Sequence, residues 1–482
     1  MFNVSMIDWI IVGLYMLAML GIGFLFTKKI KNSSDYFLAG KSLGYFPIAC
    51  SIAATTIGGA AMLGRTGTIY QKGLAGVTMA LPYLLAMVLM GFAFPRIAKI
   101  GKKYNISTLP QMFGFRYGKT IQAVIGLVCA IGMGASVATQ ISGCSTVFSI
   151  MGGDSLGISY ETAAIFATII FIVYVLFSGL YSVVWTDVVQ CILLVGLIYV
   201  LLPIKGIVDA GGWEMVKKAV PATHFNWNFD TAIVGAMVTN FAIVACNPPI
   251  WQRAFAAKTS GTAKKGMIVG YCIYGATIFL CIFIAFAALA LLPGIGEMYP
   301  SYDYTVPALV MTVLPKGLIG LTVAAMLAVS MSSGDSQLLC SMQHFTSDFM
   351  KSLKPDLTTK QELNYGRLAC VVAGIIALAL ALWMKSAYDL LMLVWGFYSS
   401  CMACPALATL FWKKATKPAI ISGVFGGLIA NIVWKYVLGT PFGISAVIPG
   451  IILNALLIIV ISLITYKKDN PPPFFELAEE TF

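Results

Sequence analysis

The chain reads as an all-α polytopic membrane protein of about thirteen transmembrane helices, arranged as a five-plus-five inverted repeat with two broken helices. Three observations predict that fold class: the composition, the length of the apolar runs, and two helix breaks five runs apart. Of 482 residues, 59% are hydrophobic and only 10% are charged, and the mean hydropathy is +0.89. Polar surface on that scale cannot cover a water-soluble globule of this size.

The apolar runs fall near residues 6–26, 43–69, 73–95, 120–152, 159–178, 182–204, 231–252, 267–292, 316–346, 366–384, 388–412, 417–437 and 445–466. Each is close to the roughly 20 residues that cross a bilayer, and runs this continuous exclude a barrel, whose strands alternate. The resulting division is a single membrane domain over 1–482. It has an extra N-terminal helix at 6–26, a first five-helix repeat at 43–205 and a second at 231–412. Two C-terminal helices at 417–466 and a cytoplasmic tail at 467–482 complete it.

The formal charge of +12 invites a nucleic-acid reading, but the basic residues lie in short clusters between apolar runs. Loops after runs one, three, seven, nine and eleven, with the tail, hold 23 of the 31 Lys and Arg. The positive-inside rule makes those segments cytoplasmic, with the N-terminus outside, in a plasma (inner) membrane. The basic balance thus records topology, and the expected partner on this ground is the lipid bilayer, with no nucleic acid. "MFNVSMID" lacks a basic leader, so the first run is expected to be a retained span.

Eleven scattered cysteines and two histidines, His224 and His344, form no metal or catalytic constellation. Cys401 and Cys404 make a C-x-x-C inside an apolar helix, with no second pair and no His nearby. No cofactor and no enzymatic activity is expected.

The breaks carry the functional signal. Run two has Gly58-Gly59 at its middle, and run seven has Asn247-Pro248-Pro249. A helix that unwinds near the bilayer midplane frees carbonyls to ligate a small cation and amides to hold a solute's polar groups. Run nine adds "LAVSMSSGDSQLL", residues 327–339, in which Ser332, Asp335 and Ser336 share one helical face. A carboxylate at membrane depth costs about 2.5 to 3.5 kcal/mol on insertion scales and calls for a partner. Asp187, in "GLYSVVWTDVVQ", is the other deep acid. No intramembrane base is placed by the sequence to neutralise either, so a bound cation is the economical partner, with protonated structural carboxyls as the alternative.

The segments "SSDYFLAGKSLGYFPIACSIAATTIGG", "GLYSVVWTDVVQ", "WQRAFAAKT" and "AAMLAVSMSSGDSQLL", in this order along residues 34–340, resemble the sodium:solute symporter family. The resemblance implies sodium-coupled symport of a small polar organic solute by alternating access, with Na⁺ as the coupling ion and a leucine-transporter-type fold. It implies a first sodium site of the Ala54, Ile57 and Val329 carbonyls with the Ser332 and Ser333 hydroxyls. A second cation site of Asp187, Asp335 and Ser336 is implied by some members, although this chain carries Asp335 where those members have Ser.

Solute-binding candidates flank the breaks: Thr55, Thr56, Gly59 and Arg65 in run two, Thr139 and Gln140 in run four, and Asn247, Trp251 and Gln252 in run seven. They include no acid. Arg65 either meets a solute carboxylate or snorkels to the outer interface or a loop acid. Two other classes stay open. One is a proton-coupled carrier that uses Asp187 or Asp335; the other is a solute sensor, which the sixteen residues after 466 give little room to signal.

Overall fold

The computed structural model describes residues 4–27, 33–177, 179–227 and 229–467. The basic cluster Lys28, Lys29 and Lys31 and nearly all of the 467–482 tail lie outside the described residues. Fifteen helices carry the architecture: α1 Met6–Thr27, α2 Tyr45–Ile57, α3 Gly59–Lys72, α4 Leu81–Lys103, α5 Lys119–Leu156, α6 Tyr160–Phe177, α7 Leu180–Leu193, α8 Thr231–Cys246, α9 Pro248–Ala256, α10 Ser260–Leu291, α11 Leu318–Gln343, α12 Thr359–Trp383, α13 Ala387–Phe411, α14 Lys417–Ile432 and α15 Val447–Thr465. Helical winding continues α7 as far as Asp209 and α11 as far as Leu353.

Among the described residues, ten helices are long and apolar enough to cross a membrane, and the bent pair α2–α3 makes an eleventh if it is one span. Two shorter apolar helices, Met6–Ile22 and Tyr160–Leu176, stand where runs one and five were predicted. Among the described residues, length and composition thus mark up to eleven spans, and the count of thirteen is not confirmed. Side-chain oxygens start several helices: Asp230 caps α8, Thr259 caps α10, and Thr358 with Gln361 forms a capping box at α12.

The two breaks differ in kind. Gly58 sits at φ 51°, ψ 148°, a region reserved for glycine, and α2 and α3 diverge there by 54°. Asn247 stays at φ −74°, ψ 104°, and Pro248 begins α9 at the position where a missing N–H costs nothing, so α8 and α9 still read as one span, Thr231–Ala256. The extended residues Leu43 and Ala257 pair where α2 begins and α9 ends.

Packing ranks the helices. The apolar window of α11 is 89% buried, against 28% for those of α12, α14 and α15. α11 is thus the central post, and apolar side chains left outside the bundle, such as Leu85, Leu89 and Phe92 on α4, face lipid.

Candidate functional site

The first oxygen cradle forms where α11 passes the Gly58 break. Because Gly59 N–H donates to Gln140 Oε1 at 3.0 Å, the Thr55 carbonyl loses its helical partner and accepts the Ser333 hydroxyl at 3.0 Å instead. Ser332 donates to the Val329 carbonyl at 2.9 Å, and Gly58 N–H donates to the Ala54 carbonyl at 3.3 Å. Ile57 ends α2 beside them, fully buried. These are neutral oxygens, the donor set a hard monovalent cation takes. Among the described residues no cluster of His, Cys, Asp or Glu could hold a transition metal.

One helical turn farther along α11, the expectation of an unneutralised Asp187 fails. Arg253, counted by sequence among the cytoplasmic loop bases, is buried on α9 with its Nη2 at 3.6 Å from Asp187 Oδ2. The same guanidinium donates to Ser51 Oγ at 3.0 Å, Ser336 Oγ at 2.6 Å, Thr55 Oγ1 at 3.3 Å and Gln252 Oε1 at 3.1 Å. Ser51 completes the cluster by donating to Asp187 at 2.5 Å. An arginine therefore holds two of the three groups expected of a second cation site, and the third, Asp335, stands apart. The physical reason is that α9 continues past the predicted end of run seven and turns Arg253 inward.

The solute candidates divide in the same way. Gln140 caps α3, the Thr139 hydroxyl donates to the Ser136 carbonyl, and Trp251 Nε1 donates to the Ala245 carbonyl at 3.2 Å. Gln252 plugs the base-rich end by donating to the Phe37 carbonyl and Gln343 Oε1, both at 2.9 Å. Thr55 belongs with Arg253, and Gly59 packs so closely on Ser330 that a Cβ would collide with it.

Thr56, Tyr83 and Arg65 keep unspent polar capacity among the described residues. Thr56 and Asn247 face the Tyr83 hydroxyl, yet neither that hydroxyl nor Thr56 Oγ1 completes a hydrogen bond among the described residues. Arg65 neither snorkels nor meets a loop acid. It is 7% exposed, gives Nη2 to the Tyr274 hydroxyl at 2.8 Å, stands 5.1 Å from that ring's centre, and leaves Nη1 without a partner. Tyr83 links the two groups, 5.3 Å from Tyr274 and stacked 6.2 Å from Trp395. Sequence reasoning missed Arg253, Tyr83, Tyr274 and Trp395. For Arg253 the signal was present, four residues after Pro249 and so one turn into the helix that follows the break.

A cavity of about 640 Å³ opens at the base-rich end, lined by Lys41, Gln111, Lys119, Gln343 and Lys351. One of about 630 Å³ opens at the opposite end, lined by Gln71, Lys72, Tyr388, Met392 and Lys435. Below the latter, and sharing Met79, Tyr388 and Met392 with it, lies a pocket of about 20 Å³ bordered by Arg65 and Asn240. That pocket has room for a water molecule and little more.

The Sodium:solute symporter family model matches residues 36–429. The chain is 27% identical to the sodium/glucose cotransporter of Vibrio parahaemolyticus, across 100% of this chain and 94% of that one. It is also 27% identical to the high-affinity proline transporter of Bacillus subtilis, across 93% and 96%. A substrate-bound, outward-open Na⁺-coupled sialic acid symporter superposes with a TM-score of 0.80 at 20% identity, covering 95% of this chain and 98% of that one. A nucleobase-cation-symport-1 family transporter in a closed conformation superposes at 0.60. With the matched region spanning both breaks and all of α11, the chain belongs to the sodium:solute symporter family and works as a sodium-coupled solute symporter, not as an enzyme.

Proposed function

We propose that the symporter carries a small organic carboxylate, gripped by Arg65 between α3 and α13. The observation that carries this reading is the buried Arg65 Nη1, which has no partner in the structure and borders the pocket below the base-poor cavity. A buried charged donor left unsatisfied costs more than a neutral one, and a carboxylate supplies both charge and acceptor. The Tyr83 hydroxyl with Thr56 and Asn247 would take the solute's remaining polar groups. Proline and sialic acid, named for two similar proteins, bear a carboxylate, whereas glucose does not.

Sodium sits between the α2–α3 break and α11, on the carbonyls of Ala54, Ile57 and Val329 and the hydroxyls of Ser332 and Ser333. The base-rich end faces the cytoplasm and the N-terminus lies outside the plasma membrane, as the distribution of Lys and Arg supports. Sodium bound from outside then favours the outward-open state and raises solute affinity, and by linkage the solute raises sodium affinity equally.

Proteoliposome uptake under an imposed sodium gradient tests the reading, with labelled carboxylates offered beside their amides. Uptake of an acid and not its amide is expected, with Arg65→Gln losing at least about tenfold while ²²Na⁺ binding persists. Equal uptake of acid and amide would sink the carboxylate assignment. Ser332→Ala is expected to weaken sodium binding, and unchanged binding would remove the proposed ion site.

A further inference from the structure

Two of the eleven cysteines meet across a seam between helices. Cys50 on α2 and Cys191 on α7 are both free thiols, they face each other, and they share one small apolar cluster with Ala53, Ala54 and Val188. The register of the two helices puts them there. Ser51, next to Cys50, donates to Asp187 at 2.5 Å, and Cys191 lies one turn after Asp187. Cys50, Ala53 and Ala54 make one face of α2 at i, i+3 and i+4, and Val188 with Cys191 makes the facing stripe of α7. The two alanines let the helices approach closely enough for the sulfurs to touch. Other cysteines have different partners. Cys129 meets the Tyr398 hydroxyl at 3.2 Å, Cys246 turns to the Ala242 carbonyl at 3.7 Å, and Cys404 of the C-x-x-C turns to the Ile451 carbonyl at 3.9 Å.

This seam lies in the half of α2 that leads to the break. α2 packs along α7 and α10, and Gly58 frees it from the line of α3. Cys50 stands about two turns before Gly58, so a swing of α2 about the break would part the thiols. Both are 3% exposed, but their cover is thin. Val195 and Ile273, which pack on the pair, are only half-buried, and Phe46 and Ile192 beside it are exposed on the lipid side.

We propose that Cys50 and Cys191 form an oxidative modification site, closed to a disulfide by a hydroperoxide entering from the lipid, and that the bond fastens the base-rich half of α2 to α7. One sulfur attacks the terminal oxygen of the O–O bond and becomes a sulfenic acid, while the departing alkoxide takes that thiol's proton and leaves as an alcohol. The second sulfur then attacks the sulfenic sulfur. The S–S bond forms, and hydroxide leaves with the second thiol's proton as water. Two thiols and one hydroperoxide thus give one disulfide, one alcohol and one water, with two electrons passing from sulfur to the peroxide. A covalent tie across the seam removes the states in which α2 has left α7, whichever solute and ion the protein carries.

The test uses the full chain in liposomes with cumene hydroperoxide as the oxidant. Mass spectrometry of an unreduced digest seeks the peptide that links Cys50 to Cys191, and amide hydrogen exchange reads α2. The linked peptide is expected, together with exchange over residues 47–52 slowed at least about fivefold and restored by dithiothreitol. Cys50→Ala and Cys191→Ala should each keep the exchange rates of the reduced protein in the presence of the hydroperoxide. Either variant suffices should the other not fold, because each removes the bond. Absence of the linked peptide under conditions that oxidise the exposed Cys272 would overturn the proposal. So would a linked peptide with unchanged exchange in α2, or slowing that survives in the alanine variants.

Discussion

Arg253 changes what Asp187 means. In sequence the pair reads as a deep acid and a loop base more than sixty residues apart, whereas in the fold they share one buried site at 3.6 Å. Removing one partner of such a pair strands the other, which typically costs about 3–5 kcal/mol, while replacing both is close to neutral. Arg253→Gln is therefore expected to melt well below wild type in detergent, and adding Asp187→Asn should recover most of the loss. Strictly additive losses would show that the two side chains are not coupled. The serine pair beside the break was legible because hydroxyls in an apolar helix need a reason, and so were the anomalies of Asp335 and Arg65. Arg253 carried only its position one turn after Pro249, and its role stayed hidden because it depends on α9 continuing past the predicted end of run seven, and because its partners lie on three other helices. A linear count of loop charges cannot see either fact.

Both helix breaks were legible from Gly58-Gly59 and Asn247-Pro248-Pro249, yet they do different work at the scale of the element. Only glycine tolerates φ 51° with ψ 148°, so the first break can swing α2 away from α3 by 54° and free the Thr55 carbonyl for Ser333. Proline preserves helical φ, so the second break removes bonds without a sharp bend. Gly58→Ala would force a side chain into that strained conformation, at a cost of about 1–3 kcal/mol, and set its Cβ 3.1 Å from Ser333 Oγ. Lower thermal stability together with weaker ²²Na⁺ binding is expected. Gly13→Ala, at a site on α1 with no atom within 4 Å of the new methyl, should change neither. Equal behaviour of the two variants would mean that the break does not shape the ion cradle. Helix counting is the less settled part: length with composition marks up to eleven spans among the described residues, which leaves the expected thirteen unconfirmed.

Across the whole molecule, closure at the base-poor end depends on a loop that joins α10 to α11. Asp303, in that loop, accepts from the N-terminus of α13, with Ala387 N–H at 2.8 Å, Ser386 Oγ at 3.2 Å and Tyr388 N–H at 3.4 Å. Tyr388 in turn borders both the large cavity at the base-poor end and the small pocket beside Arg65, so the loop holds the residue that roofs the proposed solute site. Burial pushes the Asp303 carboxyl up to about 6, with nearby Asp389 adding to the rise and the Tyr388 and Ala387 amides opposing it. A folded-state value raised above the ordinary 3.8 means that the docked loop binds its proton more tightly than the free chain does. Its contribution is complete below the ordinary value and fades as pH rises through about 6. Thermal stability should therefore fall between about pH 4 and pH 6.5 in the wild type, and amide hydrogen exchange at Ala387 and Tyr388 should quicken over the same range. Asp303→Asn keeps an acceptor for those amides without the ionisation, so its profile should be flatter across this window. Superimposable profiles for the two proteins would show that Asp303 does not govern the roof. A flatter profile with slowed exchange in the variant would make the closure at the base-poor end tighter in acid, which would retard solute entry from that end without touching the proposed sodium cradle.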